Sequence, residues 1–171
     1  IPSSVYPNLK PFPVDRTNYP VSVFQIDEPD YTWQTGSSYQ RPEQEDLVVY
    51  ELLIRDFDER RTYQSVIDRL PYLTSLGVNA IELMPVMEFE GNESWGYNPM
   101  FFMAPDKYYG TKNDLKMLID SCHQRGIAVI MDIVLNHAFG LNSMVRMYFD
   151  ASSGQPTAQN PWFNQVPKHE F

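Results

Sequence analysis

The sequence predicts an α/β fold built on a parallel β-sheet, and two observations lead to this prediction. Three short, nearly continuous apolar runs, at residues 47–54, 78–84 and 127–135, are typical of strands that are covered on both faces. Between them lie two stretches whose apolar residues recur at helical spacing, and each ends at a glycine, Gly77 or Gly126. Alternating strands and helices form right-handed βαβ units, so the three strands are expected to lie side by side and parallel.

Residues 1–46 are expected to form an extended, proline-rich lead-in or the tail of an upstream domain. Half of the fourteen prolines lie in this segment, and proline both removes a helical hydrogen bond and clashes inside a helix. Residues 21–26 and 31–34 are expected to form two short strands within it. The polar and charged residues 40–46 mark the boundary with the α/β unit.

The helix that follows the first strand is predicted from its apolar spacing. Tyr63, Val66, Ile67 and Leu70 recur as the buried face of a helix does. Pro71 interrupts this pattern, and because proline lacks the backbone donor, it is expected to kink or restart the helix.

Pro85 ends the second strand and opens a long loop that extends to about Gly110 and is rich in glycine and aromatic residues. Loops of this length within a compact domain are usually functional. Thr111 and Asp114 have the spacing of a capping box, so they are expected to start the second helix. The third strand follows that helix directly.

The composition excludes several classes of partner. The formal net charge of −9 and the isoelectric point near 4.7 disfavour phosphate backbones and anionic surfaces, so we expect no nucleic-acid partner. No apolar stretch approaches the roughly 20 residues that span a bilayer, so no membrane partner is expected. Cys122 is the single cysteine, which excludes an internal disulfide, and the histidines lack the spacing of a zinc motif.

Ligand sites in parallel α/β folds gather where strands end, which makes three segments candidates: residues 55–58, 85–98 and 132–137. The third segment combines an acid, an amide and an imidazole in Asp132, Asn136 and His137. An uninterrupted strand would direct Asp132 and Asn136 to one face and His137 to the other. His137 is therefore expected to join the other two only if the strand breaks before it.

These three residues match the first signature region of the α-amylase superfamily of glycoside hydrolases (family 13), in which an acid, three apolar residues, Asn and His end the third barrel strand. Other stretches resemble the second-strand signature and the loop after it: residues 77–81, Met84-Pro85, residues 94–99, Ala104-Pro105 and residues 109–111. Together they cover residues 47–140 in the family's order. The form of residues 95–99 and the proline-rich lead-in resemble multidomain pullulanases and branching enzymes more than small secreted amylases.

The resemblance implies that residues 47–140 are the N-terminal portion, about three βα units, of a TIM (β/α)8 barrel. A complete barrel takes about 250 residues, so the chain is expected to be a truncated part of one. Residues 141–171 then correspond to the start of an insertion after the third strand, with a short helical stretch near residues 143–149. Residues 1–46 remain the extended lead-in.

The resemblance also implies roles in substrate binding. Tyr97 is expected to stack under the sugar at the cleaved position, with Trp95 in the same loop, and His137 is expected to hydrogen-bond hydroxyls of that sugar. Asp132 is implied as a supporting carboxylate in the barrel mouth. The residues alone leave alternatives open: a strand-end histidine is often a satisfied structural residue, and Tyr97 and Trp95 can instead cap the hydrophobic end of the barrel.

The resemblance also implies a possible metal ion, a structural calcium. Asn136 matches a position that ligates a structural calcium in many family members, whose other ligands come from the excursion after the third strand. That excursion offers no clear Asp-rich site in this sequence. No other cofactor is required.

The groups that would cleave a glycosidic bond are expected elsewhere. Retaining glycosidases need a carboxylate nucleophile and a carboxyl group that protonates the leaving oxygen. The resemblance implies that both come from strands four and five, beyond residue 171, so the chain alone is expected to be inactive. Glu51 and Glu82 lie mid-strand, and we interpret them as acids of the barrel interior rather than as a catalytic pair.

The leading hypothesis is a fragment of a retaining glycoside hydrolase or transglycosylase acting on α-1,4/α-1,6-glucans such as starch, glycogen and maltooligosaccharides, with α-amylase, pullulanase and branching enzyme all open. The alternative is a non-catalytic carbohydrate-binding or scaffold protein with a partial barrel. A nucleotide-binding domain is disfavoured because Arg55 and Asp56, not a glycine-rich loop, follow the first strand. Since three parallel strands leave two open edges, self-association through them is a further expectation.

Overall fold

The computed structural model describes residues 1–19, 21, 24, 26–166 and 168. Within that part of the chain, no helix is both long and apolar enough to cross a membrane. The strands are β1 (Val49–Leu52), β2 (Ala80–Leu83), β3 (Met87–Phe89), β4 (Pro99–Pro105), β5 (Ala128–Met131), β6 (Phe149–Asp150) and β7 (Gln155–Pro156). The helices are α1 (Ile54–Phe57), α2 (Tyr63–Ser75), α3 (Lys112–His123) and α4 (Ser143–Arg146).

The predicted parallel sheet is present, with strand order β1-β2-β5 and both pairings parallel. Its register aligns Tyr50 with Ile81 and Val129, and the helices pack against this face. The next residues, Glu51 and Glu82, stand side by side and point to the opposite face because side chains alternate along a strand. The α/β class predicted from the sequence is thus confirmed.

The core lies between the sheet and the helices α2 and α3. Burying these apolar side chains supplies the main stabilisation of the unit, at about 25 cal/mol per Å² of apolar area. Strands β1 and β2 and the two helices contribute Leu52, Ile81, Leu83, Tyr63, Val66, Leu70, Leu73, Leu118 and Cys122, and Val129 of β5 packs against them.

Local signals set the helix ends. Thr111 Oγ1 accepts from the backbone of Asp114 at 3.2 Å while Asp114 Oδ2 accepts from the backbone of Thr111 at 2.7 Å, which confirms the predicted capping box. Gly77 and Gly126 follow α2 and α3 with φ of 79° and 70°, the left-handed conformation expected of a helix stop. The predicted restart at Pro71 is wrong, because α2 continues through that residue.

The strands are shorter than the apolar runs that predicted them. The third run extends to residue 135, but β5 ends at Met131, whose partner Leu83 is the last residue of β2. One further bond, from Asp132 N to Leu83 O at 3.0 Å, closes the ladder. Pro85 follows in the β2 chain and has no donor, so pairing cannot continue on that side and the chain after Asp132 is released from strand geometry.

The long loop after β2 contains a hairpin that the sequence did not predict. β3 and β4 pair antiparallel with register shifts on both sides of Glu88. The turn of this hairpin, residues 90–98, packs against Pro85, which follows β2. It carries Trp95 and Tyr97, two of the aromatic residues of the loop.

The lead-in packs on the outer face of α3. Asp120, which is buried, accepts four hydrogen bonds from lead-in residues: from Tyr31 Oη at 3.0 Å, Gln34 N at 2.7 Å, and Thr35 N and Oγ1 at 3.0 and 2.6 Å. Tyr39 stacks on His123 with ring centroids 3.8 Å apart. The strand predicted at 31–34 does not form. The backbone N–H of Gln34 donates to Asp120 and not to a neighbouring strand. Half of the residues of the strand predicted at 21–26 lie outside the described part of the chain.

Candidate functional site

The three candidate segments meet at the carboxyl-terminal end of the parallel sheet. β1, β2 and β5 are parallel, so their carboxyl ends lie together, and the segments that follow them share this end. The first is helix α1, the second is the β3–β4 hairpin and the third is residues 132–137.

Tyr97 bridges the second and third segments. Its phenol donates to Asp132 Oδ2 at 2.5 Å, and its backbone carbonyl lies 2.6 Å from His137 Nε2. The chain after Met131 is no longer a strand, which allows Asp132 and His137 to face the same residue. The structure therefore brings together three of the four residues to which the sequence assigned substrate binding.

The contact with Tyr97 determines the tautomer of His137. A backbone carbonyl oxygen only accepts hydrogen bonds, so Nε2 carries a proton and donates a hydrogen bond to Tyr97 O. The imidazole is thereby oriented by the same turn that carries the tyrosine ring. Ring and imidazole act as one geometric unit, and a displacement of the turn moves both.

Negative charge surrounds the Tyr97 phenol. The hydrogen bond to Asp132 is the main reason why the pKa of Tyr97 is raised to about 12, followed by burial and by the charges of Asp132, Glu51 and Glu82. The phenol thus stays neutral at physiological pH and can donate. Glu51 and Glu82 lie side by side on the face of the sheet opposite the helices, and their place in a barrel interior stays a prediction.

Internal hydrogen bonds shape the turn of the hairpin. Ser94 Oγ donates to Asn98 Oδ1 and accepts from Gly96 N at 2.9 Å. Asn98 also donates through Nδ2 to Glu90 O at 3.0 Å, which ties the end of the turn to its beginning. Tyr97 therefore lies in a turn whose two ends are joined by hydrogen bonds.

Gly96 is the residue that lets this turn approach the end of β2. Its φ is +93°, and a Cβ built there would lie 2.3 Å from Pro85 O. No other residue type fits both the conformation and the space. The resemblance noted for residues 84–85 and for residues 94–99 thus reflects one physical contact between them.

The base of the hairpin holds a buried ion pair that the sequence analysis missed. Lys107 Nζ donates to Glu88 Oε1 at 2.5 Å and to Gly91 O at 2.9 Å. Both side chains are largely buried, at 18% and 10% exposure. The available signal was a lysine two residues after an apolar strand, but its partner depends on the hairpin register.

The first segment contacts the hairpin turn through charge. Arg61 donates to Glu93 Oε1 at 2.8 Å, and Arg55, paired with Asp56 at 2.7 Å, lies 3.9 Å from Glu93. The Arg61, Asp56 and Glu93 side chains of these ion pairs are exposed, whereas the Arg55 side chain is largely buried. Such pairs contribute little stability individually, but they restrict where the turn can lie.

Two predicted site residues stand apart from this cluster. Trp95 is 63% exposed at the tip of the turn, so its ring is accessible to a ligand. Asn136 is exposed as well. In the part of the chain that the structure describes, no group of three or more acid, histidine or cysteine side chains converges to hold a metal. Calcium also takes amide and backbone carbonyl oxygens, so the role of Asn136 as a calcium ligand stays a prediction.

The chain is similar to known enzymes of α-glucan metabolism. It is 41% identical over 113 residues to a malto-oligosyltrehalose trehalohydrolase of Saccharolobus solfataricus, covering 66% of this chain and 20% of that protein. It is 32% identical over 169 residues to the 1,4-alpha-glucan branching enzyme GlgB of Aliivibrio fischeri, covering 91% and 24%. The chain thus spans about a fifth to a quarter of the length of these relatives.

A solved structure and a family profile agree with these similarities. The 1.4 Å crystal structure of a putative alpha amylase from Salmonella typhimurium matches with a TM-score of 0.63 and 41% identity, covering 67% of this chain and 19% of that one. The profile described as "Alpha amylase, catalytic domain" matches residues 51–170. The parallel sheet and its helices are accordingly the N-terminal part of a TIM barrel, and the chain belongs to the α-amylase catalytic-domain family of glycoside hydrolases.

Proposed function

We propose that this chain supplies part of the substrate-binding edge of a retaining glycoside hydrolase or transglycosylase that acts on α-1,4/α-1,6-glucans. The observation that carries the proposal is the contact of Tyr97 with both Asp132 and His137 at the carboxyl ends of the strands. This edge is where the barrel fold builds its active sites. The named activities of the relatives, on a 1,4-alpha-glucan and on a malto-oligosyltrehalose, support the substrate class.

Tyr97 is proposed to stack against the apolar face of a glucose ring. Tyr97 is 38% exposed, so a ligand can reach it, while its phenol is held by Asp132. Fixing the phenol orients the ring before the sugar arrives and reduces the entropy lost on binding. Asp132 therefore serves as a supporting carboxylate.

His137 is proposed to hydrogen-bond hydroxyl groups of the same sugar. Its Nε2–H donates to the carbonyl of Tyr97, the residue proposed to stack on that sugar. A sugar oxygen can share or replace that contact. Trp95, exposed in the same turn, is proposed as a second stacking surface.

The bond-breaking carboxylates are proposed to lie outside residues 1–171, on strands four and five of the barrel. Glu51 and Glu82 are adjacent in register on the open face, and their charges act on the Tyr97 phenol. We assign them to the electrostatic environment of the binding edge and not to catalysis. The 171-residue chain alone is accordingly proposed to bind glucan weakly and to turn over none.

The chain is also proposed to divide into a lead-in (residues 1–46), three βα units (residues 47–140) and the beginning of an insertion (residues 141–171). Open edges on β1 and β5 support self-association of the isolated chain. Like charges at Glu51 and Glu82 oppose stacking of two open faces, so the edges are the favoured contact.

Titration of the 171-residue chain with maltotetraose, followed by NMR, tests the proposal. One stacking ring and one or two hydrogen bonds support an affinity in about the millimolar range. Tyr97→Ala and His137→Ala are expected to weaken it about tenfold, whereas Tyr72→Ala, on the exposed side of α2, leaves it unchanged. Cellotetraose, with the opposite anomeric linkage, is expected to bind less tightly.

Two results would count against the proposal. Equal binding of maltotetraose by the chain and its Tyr97→Ala variant would remove the stacking role. Turnover of an activated α-glucoside by a clean preparation, abolished by Glu51→Gln or Glu82→Gln, would return those two acids to catalysis.

A further inference from the structure

The ammonium group of Lys107 lies behind the turn that carries Tyr97. Lys107 follows β4 by two residues, and its side chain runs back under the hairpin to the start of the turn at Gly91. The side chain is only 18% exposed. A largely buried lysine needs a compensating environment, and this one is unusually complete.

Five groups surround the Lys107 ammonium. Glu88 Oε1 and Gly91 O accept its hydrogen bonds, and Asp106 Oδ2 lies 3.8 Å away. The rings of Phe89 and Tyr108 present their faces, with centroids at 5.5 and 5.6 Å. The backbone N–H of Lys107 also donates to Glu88 Oε2 at 2.8 Å, so both oxygens of that carboxylate are held by one residue.

The contact with Gly91 reaches the turn directly. The last residue of the turn, Asn98, is tied to Glu90 by two hydrogen bonds, one from its side chain and one to its backbone carbonyl. Lys107 bonds the carbonyl of Gly91, the residue that follows Glu90 at the start of the turn. Tyr97 is therefore carried by a turn that is anchored to the body of the hairpin at its first residues.

We propose that Lys107 is a positioning residue for Tyr97. Lys107 bonds both Glu88 and the Gly91 carbonyl and so fixes the position of the turn relative to the hairpin strands. In that position Tyr97 contacts Asp132 and His137. Lys107 does not touch the sugar in this arrangement. The proposal rests on the proposed function, because positioning matters only if Tyr97 binds substrate.

Four variants of the 171-residue chain test it. Lys107→Met keeps the length and apolar stem but removes the charge and the donors, Lys107→Arg restores a cation, and Lys10→Met alters an exposed lysine of the lead-in as a control. Glu88→Gln keeps an acceptor for the Lys107 N–H but removes the charge that holds the ammonium. Maltotetraose affinity, NMR signals of the Tyr97 ring and hydrogen exchange of the Gly96 amide are measured on each.

We expect Lys107→Met to weaken maltotetraose binding about five- to tenfold, to shift the Tyr97 ring signals and to expose the Gly96 amide, while the exchange of the α2 and α3 amides stays unchanged. Lys107→Arg should restore most of the affinity, the Tyr97 signals and the amide protection. Glu88→Gln should give values between those of Lys107→Met and the parent, and Lys10→Met should match the parent. If Lys107→Met does not fold, Glu88→Gln provides the same comparison.

The outcomes separate this inference from the proposed function. Weaker binding by Tyr97→Ala together with unchanged binding and unchanged Tyr97 signals in Lys107→Met and Glu88→Gln would overturn the positioning role alone. Unchanged binding by Tyr97→Ala would overturn the proposed function itself. Loss of α2 and α3 protection in step with the turn, without rescue by arginine, would mean that Lys107 only stabilises the fold.

Discussion

The Tyr97 phenol and the Asp132 carboxylate, 35 residues apart in the chain, are joined by a hydrogen bond of 2.5 Å. This contact links the loop after the second parallel strand to the end of the third. It also has an electrostatic consequence, since the phenol can ionise only against a neighbouring negative charge.

Asp132→Asn should lower the pKa of Tyr97 from about 12 toward the ordinary value near 10, because the hydrogen bond to a charged acceptor is the main cause of the shift. An NMR titration of tyrosine labelled at the ring carbon bearing oxygen follows this change, with Tyr97→Phe identifying the signal. In the parent, any stability linked to the neutral phenol is lost only as the pH rises from 10 to about 12. An unchanged titration in Asp132→Asn would show that burial, not Asp132, holds the proton.

Gly96→Ala should destabilise the chain by about 2–4 kcal/mol, because the new Cβ meets Pro85 O and the backbone is left-handed. Gly91→Ala shares the positive φ in open space and should cost only about 1 kcal/mol. Gly140→Ala has neither constraint and should stay within about 0.5 kcal/mol. Denaturant unfolding ranks the three, and equal effects at Gly96 and Gly140 would contradict the close packing on Pro85.

Asp106 should make stability fall as the pH rises from about 4 to about 6. It is completely buried, and burial raises its pKa from 3.8 to about 6, against the lowering effect of the Tyr108 N–H. The folded state therefore binds a proton that the unfolded state has released, and the contribution lost across this window is about 3 kcal/mol at most. Denaturant unfolding at a series of pH values measures it.

Asp106→Asn should flatten that part of the pH profile, since its side-chain oxygen still accepts from Tyr108 N without carrying a charge. Asp15→Asn, at an exposed carboxylate of the lead-in, is the matched control and should keep the parent profile. A parent profile that is already flat between pH 4 and 6 would mean that Asp106 is charged throughout.

Asp120→Ala should release the lead-in from α3. Burial alone raises the pKa of Asp120, but hydrogen bonds from Thr35, Gln34 and Tyr31 outweigh it and bring the value to about 2. The attachment is thus present above pH 3.8 and lost as the pH falls toward 2. Amide exchange at Gln34 and Thr35 should accelerate at least about tenfold in the variant. Asn113 also lies on α3 and donates one exposed hydrogen bond to Pro29 O of the lead-in. Asn113→Ala should therefore have a smaller effect on amide exchange, and equal effects would refute the special role of Asp120.

The isolated chain should self-associate at micromolar concentration. β1 and β5 are the edges of the sheet, and Val49 on β1 is 43% exposed. Light scattering should report a mass above the 19.9 kDa of one chain. Val49→Lys, which places a charge on the edge, should reduce the mass, while Tyr72→Lys on α2 should not. A stable, cooperatively unfolding monomer would show that these edges are tolerated.

Much of the fold could be predicted because its signals are local. The apolar runs identify three strands, Thr111 and Asp114 start a helix within four residues of each other, and Gly77 marks a stop through its own conformation. Strand ends could not be predicted in the same way. β5 ends at Met131 because the strand next to it, β2, ends at Leu83, shortly before Pro85. The end of β5 therefore depends on residues about fifty positions earlier in the chain.

The sequence by itself determined the α/β class, the order of the elements, the family and the identity of the residues at the strand ends, since each depends on residue type and spacing. Only the tertiary structure decided that Tyr97 lies between Asp132 and His137, that Lys107 supports its turn from beneath, and that Asp120 holds the lead-in. Those contacts join residues 16 to 89 positions apart. They exist only once the sheet register and the hairpin have brought the partners within hydrogen-bond distance, which no local pattern encodes.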